Sequence, residues 1–113
     1  MLRASDDMDS AYYIRLEPMS NRLVFDSWPR GVGSAHPITS ADGPFMLDSE
    51  RRIELQPNRP VELKVFVDST VAVTYVAGKI AMSTRLYNLP IGNWGVFVKE
   101  GSARFRSLKV SAL

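Results

Sequence analysis

Val65-Phe-Val-Asp-Ser-Thr-Val-Ala-Val-Thr-Tyr-Val-Ala-Gly78 holds the ends of two strands and the turns that bound them. Reading back from it, Val61, Leu63, Val65 and Val67 make a strict period-two stripe opposite Glu62, Lys64, Phe66 and Asp68, the pattern of a strand buried on one side. Val71 to Val76 follows as a second strand. Ala77-Gly78 is a two-residue connection of the kind whose positive φ angles suit a hairpin. Beyond it Ile80, Met82, Thr84 and Leu86 continue on the far side, with Ala81, Ser83, Arg85 and Tyr87 on the opposite face. Three consecutive antiparallel strands follow from this reading.

The same alternation extends both ways. Tyr12, Ile14 and Leu16 share one side of a strand, Pro18-Met-Ser-Asn21 turns the chain, and Leu23 and Phe25 lie on one side of the next strand, with Arg22, Val24 and Asp26 on the other. From Ser27 to Pro44 the pattern stops, because Trp28-Pro29, Gly31, Gly33, Pro37, Gly43 and Pro44 break any regular element. A loop over 27–44 is expected, and loops of that length in compact domains are functional or mobile. Phe45 to Leu55 is extended again, with Ile53 and Leu55 inward and Arg52 and Glu54 outward. After Asn88-Leu-Pro90, Trp94, Val96 and Val98 form a further inward stripe, and Glu100-Gly101 turns into a last strand. There Ala103 and Phe105 are out of phase with Leu108 and Val110, so a bulge is expected near Ser107. No stretch of ten residues carries an apolar 3.6-residue period. The fold class is all-β, an antiparallel β-sandwich with very little helix.

Length and composition narrow the function. At 113 residues and 45% hydrophobic content, 1–113 is a single domain with one core. Fourteen Lys and Arg against twelve Asp and Glu leave a net charge of +2, too small a surplus to imply a nucleic-acid partner. The one basic cluster, Arg104-Phe105-Arg106 with Lys109, sets its aromatic on the side of the strand away from both arginines, so the ring cannot stack on a base they would hold. The absence of cysteine excludes disulfides, thiolate catalysis and Cys-ligated zinc but leaves the compartment open. No apolar stretch approaches the roughly 18 residues of a membrane-spanning helix. His36 is the sole imidazole, without the neighbours a metal needs, and Gly31-Val-Gly33 lacks the strand-to-helix context of a phosphate loop. No metal or cofactor is expected.

Glycosidic hydrolysis would need two carboxyl groups flanking one bond, about 5–9.5 Å apart. Asp6, Asp7 and Asp9 stand in the terminal segment, Asp42 and Asp48 in or beside the loop, and Glu54, Glu62 and Glu100 on solvated strand faces. This chain alone is not expected to be an enzyme. A sugar-binding site on a sandwich instead needs an aromatic face with planar donors and acceptors beside it. Arg85 and Tyr87 share the outward side of one strand with Asp68 ending its neighbour but one, Asp26 and Trp28 open the irregular segment, and Glu50 and Arg51 close it. These seven residues are the candidates for carbohydrate contact. The structural alternatives are a salt bridge between Arg85 and Asp68 locking two strands, Trp28 as a lid over the core, and Trp94 as a core residue.

In Val65-Phe-Val-Asp68, Ser69-Thr70, Val71-Ala-Val-Thr-Tyr-Val76, Gly78, Thr84-Arg-Leu-Tyr87 and Gly92-Asn-Trp-Gly95 the chain resembles the C-terminal β-sandwich of glycoside hydrolase family 32, the invertase, levanase and inulinase group. Leu23-Val-Phe-Asp-Ser-Trp-Pro29 and Glu50-Arg51 extend the resemblance, so that it spans about residues 11–110. It departs at Val73, where the family usually has Glu, and at Ala77, where Asn or Asp often precedes the Gly. The resemblance implies a concanavalin A-like or jelly-roll-like sandwich that lacks the first strands of the family module, with Leu2-Arg3-Ala4 as a strand end and Ser5 to Asp9 a mobile turn. It also implies a non-catalytic accessory domain, because the family's catalytic residues stand on a propeller. The expected partners are that propeller, a fructan-like carbohydrate, and a second copy paired through an exposed edge strand. An independent lectin-like module and an oligomerising structural remnant are the alternatives.

Overall fold

The computed structural model describes residues 1–28 and 49–112. The order of elements is β1 (Ala11–Glu17), a single 3₁₀ turn (Pro18–Ser20), β2 (Arg22–Trp28), β3 (Ser49–Arg52), β4 (Leu63–Asp68), β5 (Val71–Val76) and β6 (Ile80–Arg85). They make two antiparallel three-stranded sheets, ordered β1-β2-β3 and β4-β5-β6. His36, Gly31, Gly33, Asp42, Asp48, the body of the expected 27–44 loop and the start of the Phe45 strand lie outside the described residues.

The first hairpin forms where Pro18 fixes the turn and Asn21 takes the left-handed conformation, φ 50°, with its N–H on the Pro18 carbonyl. The resulting register sets Leu16 against Leu23 and Ile14 against Phe25. β2 continues through Ser27 and Trp28, two residues into the segment expected to be loop. The second hairpin closes through Ala77 and Gly78, both at positive φ (55° and 63°), as their sequence predicts. One buried cluster draws Tyr12, Leu23 and Phe25 from the first sheet with Ile53 just after β3, and Ala72, Val76 and Met82 from the second with Leu86 just after β6. Tyr12, Leu23, Phe25, Ile53, Met82 and Leu86 share the faces their alternation grouped them on, and Ala72 and Val76 add the inward side of β5 to the cluster. Within it the Tyr12 and Phe25 rings stack 5.6 Å apart, and the Tyr12 hydroxyl accepts the N–H groups of Asn88 and Leu89.

Val24 and Asp26 correct the reading of β2. They do point away from the core, but they are buried on that far side, because Arg15 reaches across to Asp26 at 3.4 Å and the Phe97 ring packs edge-on against Tyr13, the cross-strand partner of Asp26. A strand covered on both faces loses its polar side without losing its period.

The C-terminal part departs further. Trp94, Val96 and Val98, expected inward, are exposed, while Gly95 and Phe97 face the body of the protein. A one-residue change of phase turns a whole stripe over, and the larger ring at Phe97 finds Tyr13 where valines would have found less surface. The expected last strand does not form: every residue from 99 to 112 is exposed, and Phe105, Leu108 and Val110 with them. The phase break at Ser107 is present as a left-handed residue, φ 55°, but without a partner strand it is a kink and not a bulge.

The N-terminal residues act as a short strap. Leu2 and Tyr12 exchange backbone hydrogen bonds at 2.8 and 3.0 Å, and Ala4 and Asn93 do the same at 2.8 and 2.9 Å. Ser5 to Ser10 is a turn closed by the Ser5 N–H on the Ser10 carbonyl and by the Ser5 hydroxyl on Asp7. The Arg3 guanidinium donates to the carbonyls of Leu86, Leu89 and Ser69, so one side chain ties the strap to both connections flanking β5 and β6.

Candidate functional site

The outward face of the second sheet is a three-by-three array fixed by register. Asp68, Val71 and Arg85 make one row, Phe66, Val73 and Ser83 the next, and Lys64, Tyr75 and Ala81 the third. Period two alone dictates this arrangement, since residues directly opposite across a ladder share a face. Phe66 and Tyr75 are diagonal neighbours whose rings meet edge to face at 5.8 Å, and both stay about half exposed at 45% and 44%. The middle of the face is therefore apolar and aromatic. Its rim carries Lys64, Asp68, Arg85 and Ser83. Asp68 and Arg85 stand at opposite ends of one row with Val71 between them, and no ion pair joins them. The salt bridge offered as their structural role is absent, which leaves both side chains directed to solvent at the edge of an aromatic surface.

The outward face of the first sheet is different in kind. Arg15 pairs with Glu17 at 3.1 Å and with Asp26 at 3.4 Å, while Arg22 pairs with Glu17 at 2.6 Å and with Glu50 at 2.9 Å. Two guanidiniums thus bridge three carboxylates across three strands. Beside the ladder, Ser20, Asn21, Arg22, Glu50 and Arg52 line a shallow open groove. Glu17 sits at the centre: desolvation pushes its carboxyl up, but the hydrogen bonds from Arg22 and Arg15, with their charges, outweigh that and hold it below the ordinary range. A carboxylate with a depressed folded-state pKa contributes stability above its unfolded value, near 4.5, and loses it as pH falls through the lower folded value. Wild-type stability is expected to drop more steeply below about pH 4.5 than that of Glu17→Gln, and urea midpoints between pH 7 and pH 3 measure the difference. Parallel curves for the two proteins would remove Glu17 from the ladder's energetics.

The seven sequence-predicted residues do not gather at one place. Asp68 and Arg85 share the outward face of the second sheet. Tyr87 follows β6 and is exposed at 68%. Asp26, Trp28 and Glu50 belong to the outward face of the first sheet, where Asp26 is buried under Arg15 and Glu50 is taken by Arg22. Trp28 is 54% exposed on that face, opposite Ala11, and is not a lid over the core. Arg51 stands opposite Leu23 on the edge strand, exposed, with its guanidinium on the neighbouring Glu50 carbonyl. Trp94, the alternative core residue, is 51% exposed.

Phe66, Val73 and Tyr75 were not singled out as site residues. The signal was available: an aromatic on the polar side of an otherwise charged stripe, as Phe66 is between Lys64 and Asp68, is unusual unless something covers it. No group of three or more metal-ligating side chains occurs among the described residues. No helix there is long and apolar enough to cross a membrane. Comparison with protein-family models, with curated proteins and with solved structures finds no match.

Proposed function

We propose that the chain is a non-catalytic β-sandwich accessory domain of a glycosidase-like protein, concanavalin A-like or jelly-roll-like in architecture, and that the outward face of β4-β5-β6 is what it offers to its partner. The observation that carries the reading is the chemistry of that face. An apolar aromatic centre inside a rim of Lys64, Asp68, Ser83 and Arg85 has the composition of a protein interface, with its apolar middle and wet margin. Two further features agree. The core cluster joins both sheets, as a sandwich requires. The segment Val65 to Tyr87, which carries most of the family 32 resemblance, is the same segment that builds the face. The partner the resemblance supplies is a catalytic propeller.

A family 32 propeller produced without its own sandwich is the probe. The chain is expected to bind it, and Phe66→Lys with Tyr75→Lys is expected to weaken that binding about 100-fold or more, as loss of two aromatic anchors does. Failure of the chain to bind, or binding that ignores both substitutions, overturns the assignment of the face. Hydrolysis of sucrose or inulin by the purified chain overturns the non-catalytic reading. The second reading, a lectin-like module, rests on the solvent-directed Asp68 and Arg85 beside exposed rings. Calorimetric titration with levan and inulin separates it, since heat lost in Arg85→Ala favours the lectin and no heat at millimolar sugar removes it.

A further inference from the structure

We infer that the C-terminal arm, residues 102–110, pairs with the free edge of β4 in a second copy of the chain, each copy giving its arm to the other. The inference does not need the accessory-domain reading, because it rests on the unpaired backbone of β4 and on the charges at that edge and asks for no propeller or sugar.

Two parts of this chain lack what the other offers. Among the described residues, none from 96 to 112 makes a backbone hydrogen bond, and Ser102 to Arg106 runs without a bend. Phe105, Leu108 and Val110 are exposed along the arm. Up to the kink at Ser107, where Ala103 and Phe105 alternate with Arg104 and Arg106, bare N–H and C=O groups on an unbent stretch make a strand without a sheet. β4 is the converse, a six-residue strand that among the described residues pairs only with β5.

Burial within the second sheet singles out that edge. On the core side, Val65 shares a row with Thr74 and Met82, and Val67 shares one with Ala72 and Thr84. Thr74, Met82, Ala72 and Thr84 are buried, β6 residues included although β6 is also an edge, whereas Val65 and Val67 are only half covered. The sheet's cover stops at β4, where another strand's side chains would complete it.

Charge selects the same edge. The arm carries Arg104, Arg106 and Lys109 and no acid. β6 is flanked by Lys79 and ends in Arg85, and β3 ends in Arg51 and Arg52 with its Glu50 held by Arg22, so both would repel it; the β1 edge already takes the strap, through Leu2 on Tyr12. β4 begins after Glu62, which pairs with Lys64 at 3.2 Å, and ends at Asp68, whose exposed carboxylate has no ion pair among the described residues. In an added strand, Arg104 and Arg106 fall on one side and Ala103 and Phe105 on the other. Setting the arginines on the side of Lys64, Phe66 and Asp68, with the pair at the Asp68 end away from Lys64, delivers Phe105 to the half-covered margin at Val65 and Val67. Reciprocal exchange then closes an isologous dimer in which each arm fills the other copy's β4 edge.

Light scattering on the full chain is expected to give twice the 12.6 kDa monomer mass at concentrations up to about 100 µM. Arg104→Glu with Arg106→Glu, and separately Glu62→Lys with Asp68→Lys, are each expected to raise the dissociation constant about 100-fold or more. All four side chains are solvent-exposed, and unchanged circular dichroism checks that each variant folds. Mixing the two variants brings every reversed arm to a reversed edge and is expected to restore a heterodimer. A monomeric wild type overturns the inference, as does a dimer indifferent to both reversals or a mixture that stays monomeric. Protected arm amides in a monomer would show the arm seated on its own chain and overturn it too.

Discussion

Tyr12→Ala is expected to cost about 3–5 kcal/mol, the range for truncating a large buried ring, against a total stability for domains of this size of about 5–15 kcal/mol. Two separate losses combine there. The ring is 3% exposed and stacked on Phe25 at an interplanar angle of 18°, so its removal leaves a cavity in the middle of the cluster that joins the two sheets. The hydroxyl accepts the Asn88 N–H at 2.7 Å and the Leu89 N–H at 3.3 Å, and both backbone donors lose that acceptor. Tyr12→Phe separates the terms: it keeps the stacked ring, and its cost is expected at about 1–3 kcal/mol, the penalty for stranding partly buried donors. Urea midpoints give the two costs, and hydrogen exchange should show the amides of Asn88 and Leu89 opening first in Tyr12→Phe. Tyr12→Phe as stable as wild type would mean that water replaces the phenol and that the connection after β6 is not anchored by it.

What could be read in advance was whatever depends on one strand and its nearest neighbour. Leu16 meets Leu23, and Val76 precedes two positive-φ residues, because a turn signature and a period of two leave one register for each hairpin. The ion-pair ladder was within reach by the same logic, since a turn at Pro18 to Asn21 places Glu17 opposite Arg22. What failed depends on partners distant in the chain. Nothing in Arg22 to Trp28 tells that Phe97 and Tyr13 would close over the side carrying Val24 and Asp26. Nothing in Trp94 to Val98 tells which half of an alternating stripe will meet the protein, as both halves contain a large ring. A segment that finds no edge within its own chain, like 102–110, looks the same in sequence as one that does. The candidate site divided for the same reason: Asp26, Trp28 and Glu50 share one face by register, Asp68 and Arg85 share another, and no sequence signal joined the two groups.

Arg3 illustrates the limit most sharply. A lone arginine in a polar terminus carries no pattern, yet its guanidinium spans the carbonyls at Ser69, Leu86 and Leu89 and so connects the turn before β5 to the exit from β6. Around it the strap and the Asn93 segment come within contact of bare backbone. That closeness requires a particular residue on the other side.

Gly92→Ala is accordingly expected to cost on the order of 3 kcal/mol, as an overlap with main-chain atoms combined with a disfavoured φ does. A Cβ at Gly92 would stand 2.4 Å from the Arg3 carbonyl carbon, 2.6 Å from its oxygen and 2.7 Å from the Ala4 oxygen, all main-chain atoms that cannot swing aside. Its φ of 154° is itself a value that side chains rarely permit. Relief requires the strap to lift, which breaks the paired bonds between Ala4 and Asn93 and pulls the Arg3 guanidinium from its three carbonyls. Gly78→Ala is the control. It too is at positive φ, 63°, but a Cβ there meets nothing within 4 Å, and Ala77 beside it already adopts φ 55°, so its cost is expected near 1 kcal/mol. Hydrogen exchange distinguishes the mechanisms: Gly92→Ala should expose the amides of Leu2, Ala4 and Asn93 while β5 and β6 stay protected, and Gly78→Ala should leave the strap closed. Equal costs for the two substitutions would mean that conformational strain alone acts at both glycines, and the close approach of the strap would have no energetic weight.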